Sequence, residues 1–379
     1  MNLLLTDEII IWLPIHEINN PAYINFNYLV FNIIYFILLL ISAYFTWILV
    51  VTSWKIRKFH KNMTISFSFY FGTWYECWLG LVLVWPYKCG LIFVEDTHQK
   101  FSNFETTDQS IMARITNYPE STCLLFGSFL IWHYLASTVA GMCSFVIERA
   151  IASFFFSDYE KKERSYIGYT LLVTSQFCVI QGSILILFYF FSLKSALIIV
   201  IIMLSCVVLV SQLGTISLKI HKFQTFFFLL HYNTSLRNRL DIKQTNISYN
   251  LAARFQAAEN ARSLRLAIFV FAVICCIFTG AISMLGFWVL HLIPEYYEVA
   301  IMTAFECLVS LNPLFIVPAA MFSVPEWKIA FYKHIPFVNG RYHRRRRPDS
   351  EILDHELRVS METNLYFVQL EDSWKNSNL

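Results

Sequence analysis

The sequence predicts an all-α membrane protein, a bundle of seven transmembrane helices. Three observations carry that prediction. Of 379 residues, 57% are apolar and only 15% charged, with a mean hydropathy of +0.52; a soluble globular domain carries roughly 25% charge. Seven nearly uncharged stretches are each long enough to cross a hydrocarbon core about 30 Å thick as a helix of ~20 residues. Nearly all the lysine and arginine sits in every second gap between them. Inside a bilayer no water satisfies the backbone, so only helices or closed barrels span it. The apolar runs here are continuous rather than alternating, which reads as helix.

Residues 1–27 form an N-terminal tail with Asp7, Glu8 and Glu17, no basic residue, and Pro14 in its most apolar part, so no cleavable signal peptide is evident. The spans follow at 28–54, 63–86, 121–147, 167–191, 195–218, 266–292 and 299–323. The gap after span one, Lys55 to Lys61, holds four basic residues and no acid. Residues 87–120 hold three basic residues against five acids. The segments 148–166 and 219–265 hold four and eight basic residues, and the tail 324–379 holds nine. In total 25 of the 29 Lys and Arg fall on one side and four on the other. The positive-inside rule then places the N-terminus outside and the C-terminus in the cytoplasm.

Three segments flank the spans with character of their own. Tyr249 to Arg265 has high helix propensity and enters span six without a breaker. It reads as a lever continuous with that span, or as a solvated helical linker. Pro325 to Ile335 mixes aromatic and basic residues, as a helix lying in the interface plane does. Arg344 to Arg347 suit contact with anionic lipid, worth roughly 1 kcal/mol per charge, or a solvated tail. The sequons at Asn62, Asn233 and Asn246 all fall on the cytoplasmic side and are expected to stay unglycosylated.

Nucleotide-binding, zinc-protease and serine-hydrolase motifs are absent, so no catalytic residue, cofactor, metal or nucleic-acid partner is expected. The nine cysteines show no C-x-x-C spacing. Cys89 and Cys123 are the two at the outer face, where a bridge could persist; they read as a disulfide or as two boundary thiols. Two carboxylates fall within spans, Glu76 and Glu306, and an intramembrane acid usually faces the bundle interior. Pro313, after Asn312, must break span seven. Glu76 and Asn312 read as one polar switch cluster around an ion, or Glu76 as a protonated acid making one interhelical hydrogen bond. Glu148-Arg149, at the inner end of span three, reads as an interfacial anchor or as a latch on the helix ends.

In their joint order and spacing these features are similar to the G-protein-coupled receptors. More narrowly they resemble the nematode serpentine receptor class epsilon, the Sre family. The motifs are Trp12-Leu-Pro-Ile15, Arg57-Lys-Phe-His60-Lys-Asn62, Glu148-Arg149 with Asp158-Tyr159-Glu160-Lys161, Arg254-Phe-Gln256 with Glu259-Asn260, and Asn312-Pro313 leading to Phe322-Ser-Val-Pro-Glu-Trp327. The resemblance implies a chemosensory receptor of the plasma membrane, in sensory neuron cilia, with a small-molecule ligand outside and a heterotrimeric G protein inside. It places Glu148 and Arg149 at the acid–arginine latch and Asn312-Pro313 at the span-seven kink, with Glu76, Arg254 and Glu259 among the switch and coupling residues. No tyrosine follows Asn312-Pro313 at the usual offset, where Phe315, Ile316 and Val317 stand.

A ligand would enter between spans three, five, six and seven, with His133, Gln181, Trp288 and Glu306 as candidate contacts; ordinary interhelical hydrogen bonding is the other reading of these four. A ligand shifts such a receptor only by its differential affinity for two states. The alternative is a seven-span ligand-gated channel of the insect-odorant-receptor type, which resembles the flipped topology that the charge bias opposes.

Overall fold

Nothing interrupts span one, and it forms a single helix, α1 (Phe26–Lys55), free of Gly and Pro. Span two is instead two helices, α2 (Lys61–Gly72) and α3 (Trp74–Lys88), which meet at Thr73. The Thr73 hydroxyl donates to the Tyr70 carbonyl at 2.8 Å. Such a local bond competes with the helical ladder, and the neighbouring Gly72 lowers the penalty for leaving it. The structure, a computed structural model, describes chiefly residues 1–94, 101–102, 108–154, 165–190 and 251–334. Span three is α4 (Tyr118–Phe154) and span four α5 (Ser165–Leu187). Span five, apart from Ser195 and Ile198, and the basic run Arg344 to Arg347 lie outside the described residues.

The helical propensity before span six is realised as α6 (Leu251–Val289), 39 residues in one piece. Span seven is α7 (Glu295–Ser310) and α8 (Pro313–Ser323), separated where Pro313 lacks the N–H to continue. A short α9 (Pro325–His334) follows. Among the described residues five stretches are long and apolar enough to cross a membrane: Phe26–Lys55, Ser121–Arg149, Tyr166–Leu187, Arg262–Trp288 and Val299–Ser323.

The burial pattern is that of a bundle in lipid. Large apolar side chains such as Ile33, Ile37, Val173, Phe177 and Phe269 are exposed, while Ser42, Thr46, Ser128, Ser137 and Ser183 are buried. Ser42, Thr46 and Ser183 each donate to the carbonyl four residues back, the usual way a hydroxyl is satisfied inside a helix. Because lipid is as apolar as leucine, such helices associate by close packing and small residues. Helix α4 sits centrally, packed on α3, α5 and α6. Where it crosses α3, a Cβ on Gly80 would lie 2.6 Å from the Gly127 carbonyl oxygen, and one on Gly127 2.9 Å from that of Gly80. The two backbones are in contact there.

One end of the bundle is closed by residues 1–24. Strands β1 (Asn2–Leu4) and β2 (Ile10–Trp12) pair antiparallel, with Asn2 opposite Trp12. Further along, β3 (Glu17–Ile18) pairs with β4 (Phe101–Ser102), and β1 pairs in parallel with β5 (Ala113–Arg114). Met1, Leu3, Leu13 and Ile18 are buried in one cluster with Val84, Tyr87, Leu124 and Ile131 of the helices. The segment read as a tail is thus a cap. At the far end α9 docks on protein: Trp327 packs on Phe59 and Phe67, and Phe331 on Phe45. Lys58 and Glu326 close it with an ion pair of 2.8 Å.

Candidate functional site

Beneath the cap, helices α3 to α7 line a cavity of about 790 Å³. Its roof is Trp12, fully buried, whose ring meets Trp132 at 4.7 Å and whose carbonyl accepts from the Trp132 indole at 3.0 Å. The walls are aliphatic and aromatic. Glu306 is the one charged residue among the described lining, and Gln181 faces the same space from α5.

Glu306 is held across the bundle. Its Oε2 lies 2.5 Å from the Nζ of Lys88, the last residue of α3. Lys88 in turn sits 5.1 Å above the Tyr23 ring. Burial, then the charges of Glu306 and Glu17, push the Tyr23 phenol far above its ordinary range. The cap is tied to this point by its backbone, since Asn19 donates to the Tyr87 carbonyl at 3.0 Å and Asn20 to that of Lys88 at 2.9 Å.

Midway along α4, two consecutive residues reach different neighbours. His133 Nδ1 meets Glu76 Oε2 at 2.5 Å, three residues past the break in span two. The Tyr134 hydroxyl accepts from the Asn312 side-chain amide, at the break in span seven. Asn312 also donates to the Val309 carbonyl at 2.8 Å. Glu76 therefore makes an interhelical contact with His133, the second of its two expected readings, and Asn312 a separate one with Tyr134. A second cavity of about 90 Å³ lies nearby between α2, α4, α6 and α8, with Tyr70, Tyr134, Thr138 and Asn312 in its wall.

At the far end Arg149 is 1% exposed and Glu148 3%. The guanidinium grips the carboxylate of its own neighbour through two hydrogen bonds, one of 2.5 Å to Oε1. One further donor crosses to α6, reaching the Ser263 hydroxyl at 3.2 Å. The pair is thus buried between helices and bonded to α6 instead of reaching out to the headgroups. Arg254 and Glu259 fall on the first turns of α6, and their side chains lie outside the described residues.

The four candidate ligand contacts separate. Gln181 and Glu306 line the large cavity. His133 is committed to Glu76, and Trp288 packs in the cluster formed by Trp12, Leu285 and Met302. The expected Cys89–Cys123 bridge is not formed: both are free thiols. Cys89 is buried and donates to the Pro86 carbonyl at 3.4 Å, and burial pushes its thiol pKa up, away from the reactive thiolate; Cys123 is exposed. Two contributors were not expected from the sequence. Lys88 had the look of a loop cation, and only the acid in span seven hinted that a partner was needed. Trp12 lies in a segment whose strands are three residues long, too short to leave a periodic signal.

Residues 1–375 match the family described as Sre G protein-coupled chemoreceptor. Among the curated proteins to which the chain is similar are three from Caenorhabditis elegans. Serpentine receptor class epsilon-33 is 30% identical over 372 residues, covering 96% of each chain. Serpentine receptor class epsilon-38 is 27% identical over 379 residues, covering 96% of this chain and 97% of that one, and class epsilon-31 is 28% identical over 373 with the same coverage. No solved structure matches.

Proposed function

Because the chain belongs to the Sre family of G protein-coupled chemoreceptors, we infer that its two ends divide the work of reception and coupling. The capped end faces outside, as the distribution of Lys and Arg implies, and the cavity beneath Trp12 receives a small-molecule cue. The far end faces the cytoplasm. There Arg149 holds α4 to α6 through the Ser263 hydroxyl. An agonist that favours a state with the inner end of α6 swung outward breaks that contact and opens a cleft for a G protein. The chain in this reading does no covalent chemistry of its own. It speeds nucleotide exchange on its partner by shifting a population.

The single observation that supports this reading best is the buried Glu148–Arg149–Ser263 contact, because it joins span three to the long helix that holds span six. Two measurements test it. An epitope inserted after the exposed Thr6, in the β1–β2 turn, should stain intact cells; staining only after permeabilisation sinks the orientation and with it the receptor reading. Arg149→Ala should abolish agonist-stimulated nucleotide exchange on Gα while leaving surface expression in place, and wild-type exchange in that variant sinks the coupling role.

A further inference from the structure

The smaller cavity, of about 90 Å³, sits on the seam that the coupling motion has to open. On α6 its wall includes Ala267, Val270 and Ile274, which follow Ser263 at four, seven and eleven residues. On α4 it includes Phe145, Met142 and Thr138, which precede Arg149 at the same intervals. Such spacings put each set on one stripe of its helix, so the void continues the line of the Arg149–Ser263 contact. Phe145 and Phe271 meet across the seam at 5.7 Å. Other walls come from the two broken spans, with Phe67 and Phe71 shortly before Thr73, and Asn312 and Pro313 at the second break.

Lining and size decide what such a void accepts. No charged residue is among its described lining, so an ion would lose its hydration there without compensation. Most of the polar groups are engaged within the bundle. Thr46 donates to the Ser42 carbonyl, Thr138 to that of Tyr134, and the Trp74 indole to that of Ser310. The Tyr70 hydroxyl meets Ser144 and Ser175, and that of Tyr134 accepts from Asn312. The Ser66 hydroxyl and the Asn312 side-chain oxygen belong to the same wall. A hydroxyl both donates and accepts, so Ser66 admits a polar atom of either kind, and hydrogen bonding does not set the class. Size does. An apolar cavity of ~150 Å³ holds benzene, and in proportion this one holds about four heavy atoms.

We propose that this cavity binds compact, uncharged molecules of about four heavy atoms or fewer, and that a guest there holds the receptor closed. The guest touches α4 and α6 together only while the seam is shut. As the inner end of α6 swings out, Ala267, Val270 and Ile274 leave, and the guest loses that side of its contacts. Its affinity therefore differs between the two states, and binding shifts the population toward the closed one. An empty void forfeits the same dispersion contacts, so a side chain grown into it acts as a permanent guest. The proposal rests on the reading that α6 parts from α4 to admit a G protein, and it adds a site that opposes that motion.

The test uses the full chain in lipid nanodiscs and dibromomethane, whose bromines quench indole fluorescence on contact. Trp74 is the tryptophan in the described wall, so quenching should contain a saturable component that vanishes in Trp74→Phe. Dichloromethane should displace it; benzene and methylammonium, matched for concentration in the bilayer, should not. Ala267→Leu on α6 and Ser66→Val on α2 fill the void from different walls, and each variant that folds should lose the saturable component. Spin labels on genetically encoded residues at the exposed Ile147 and Arg265 report the separation of the inner ends of α4 and α6. Dibromomethane, and each filler without it, should enrich the shorter separation. Each should also lower ligand-independent exchange on Gα roughly fivefold, equivalent to about 1 kcal/mol of packing regained.

No saturable component in the folded wild type overturns the site, and equal displacement by benzene overturns its size class. Saturable binding that leaves the separation unchanged, or lengthens it, overturns the closed-state preference. A shift to the shorter separation in a chain that never stimulates Gα leaves this inference standing and strikes the coupling reading alone.

Discussion

The two ends of the bundle carry the same kind of charged pair in opposite arrangements. At the capped end, Lys88 and Glu306 lie 218 residues apart and join α3 to α7. At the far end, Glu148 and Arg149 are neighbours on one helix, and among the contacts that cross to α6 is a hydrogen bond of 3.2 Å to the Ser263 hydroxyl. Separating α3 from α7 would leave two buried charges alone. Separating α4 from α6 at Ser263 leaves the Arg149 charge still paired with Glu148. The first pair therefore resists parting, and the second permits it. A molecule built this way can hold its capped end together while its far end opens.

The comparison breaks most readily at Lys88–Glu306. Removing one partner of a buried pair costs about 3–5 kcal/mol, so Glu306→Leu should lower the thermal unfolding midpoint in detergent sharply, and Lys88→Met in the same chain should restore much of it. A single variant as stable as wild type would mean that the pair is not what holds this end.

Next in size is the backbone contact of α3 with α4. Gly80→Ala forces a methyl to 2.6 Å from the Gly127 oxygen, and overpacking of this kind costs roughly 1–3 kcal/mol. Gly286→Ala, where nothing lies within 4 Å, should be neutral or gain up to about 1 kcal/mol from helix propensity. Equal unfolding midpoints for the two variants would contradict the crossing.

A smaller effect sharpens the view of the far end. Ser263→Ala removes the crossing acceptor, worth about 1 kcal/mol, or roughly a fivefold shift toward the open arrangement. Ligand-independent nucleotide exchange on Gα should rise accordingly, and no rise would show that the contact does not hold the closed state. The smallest effect belongs to Lys58–Glu326, half exposed and worth about 0.2–1 kcal/mol. Burial raises the pKa of Glu326, but the bond from Lys58 and the nearby Lys58 and Arg262 charges outweigh it, so the carboxyl sits below its ordinary value. Its contribution is therefore present above the unfolded carboxylate range near pH 4.5 and is lost as pH falls through the lower folded value. Glu326→Gln should abolish that acid-side loss of α9 docking, followed by Trp327 fluorescence.

Hydropathy and charge made the spans, their kink at Pro313 and the long run into span six legible, because each depends on residues close in the chain. Glu148-Arg149 was legible for the same reason, and Glu306 because a lone acid in an apolar span must find company. What escaped were pairings over long separations. Lys88 looks like loop charge until Glu306 meets it, and β1 finds β5 more than a hundred residues later. The break at Thr73 escaped because a threonine hydroxyl folding back on Tyr70 has no counterpart in composition. The expected disulfide failed on a local fact: Cys89 lies buried at the end of α3, its thiol given to Pro86.

The adjacency of His133 and Tyr134 has a mechanical side. Successive residues on a helix point about 100° apart, so this one step of α4 grips both broken helices, span two at Glu76 and span seven at Asn312. Rolling α4 about its own axis carries both rings through the same angle. The two fractures then behave as hinges on a common spindle, and neither can bend without news of it reaching the other.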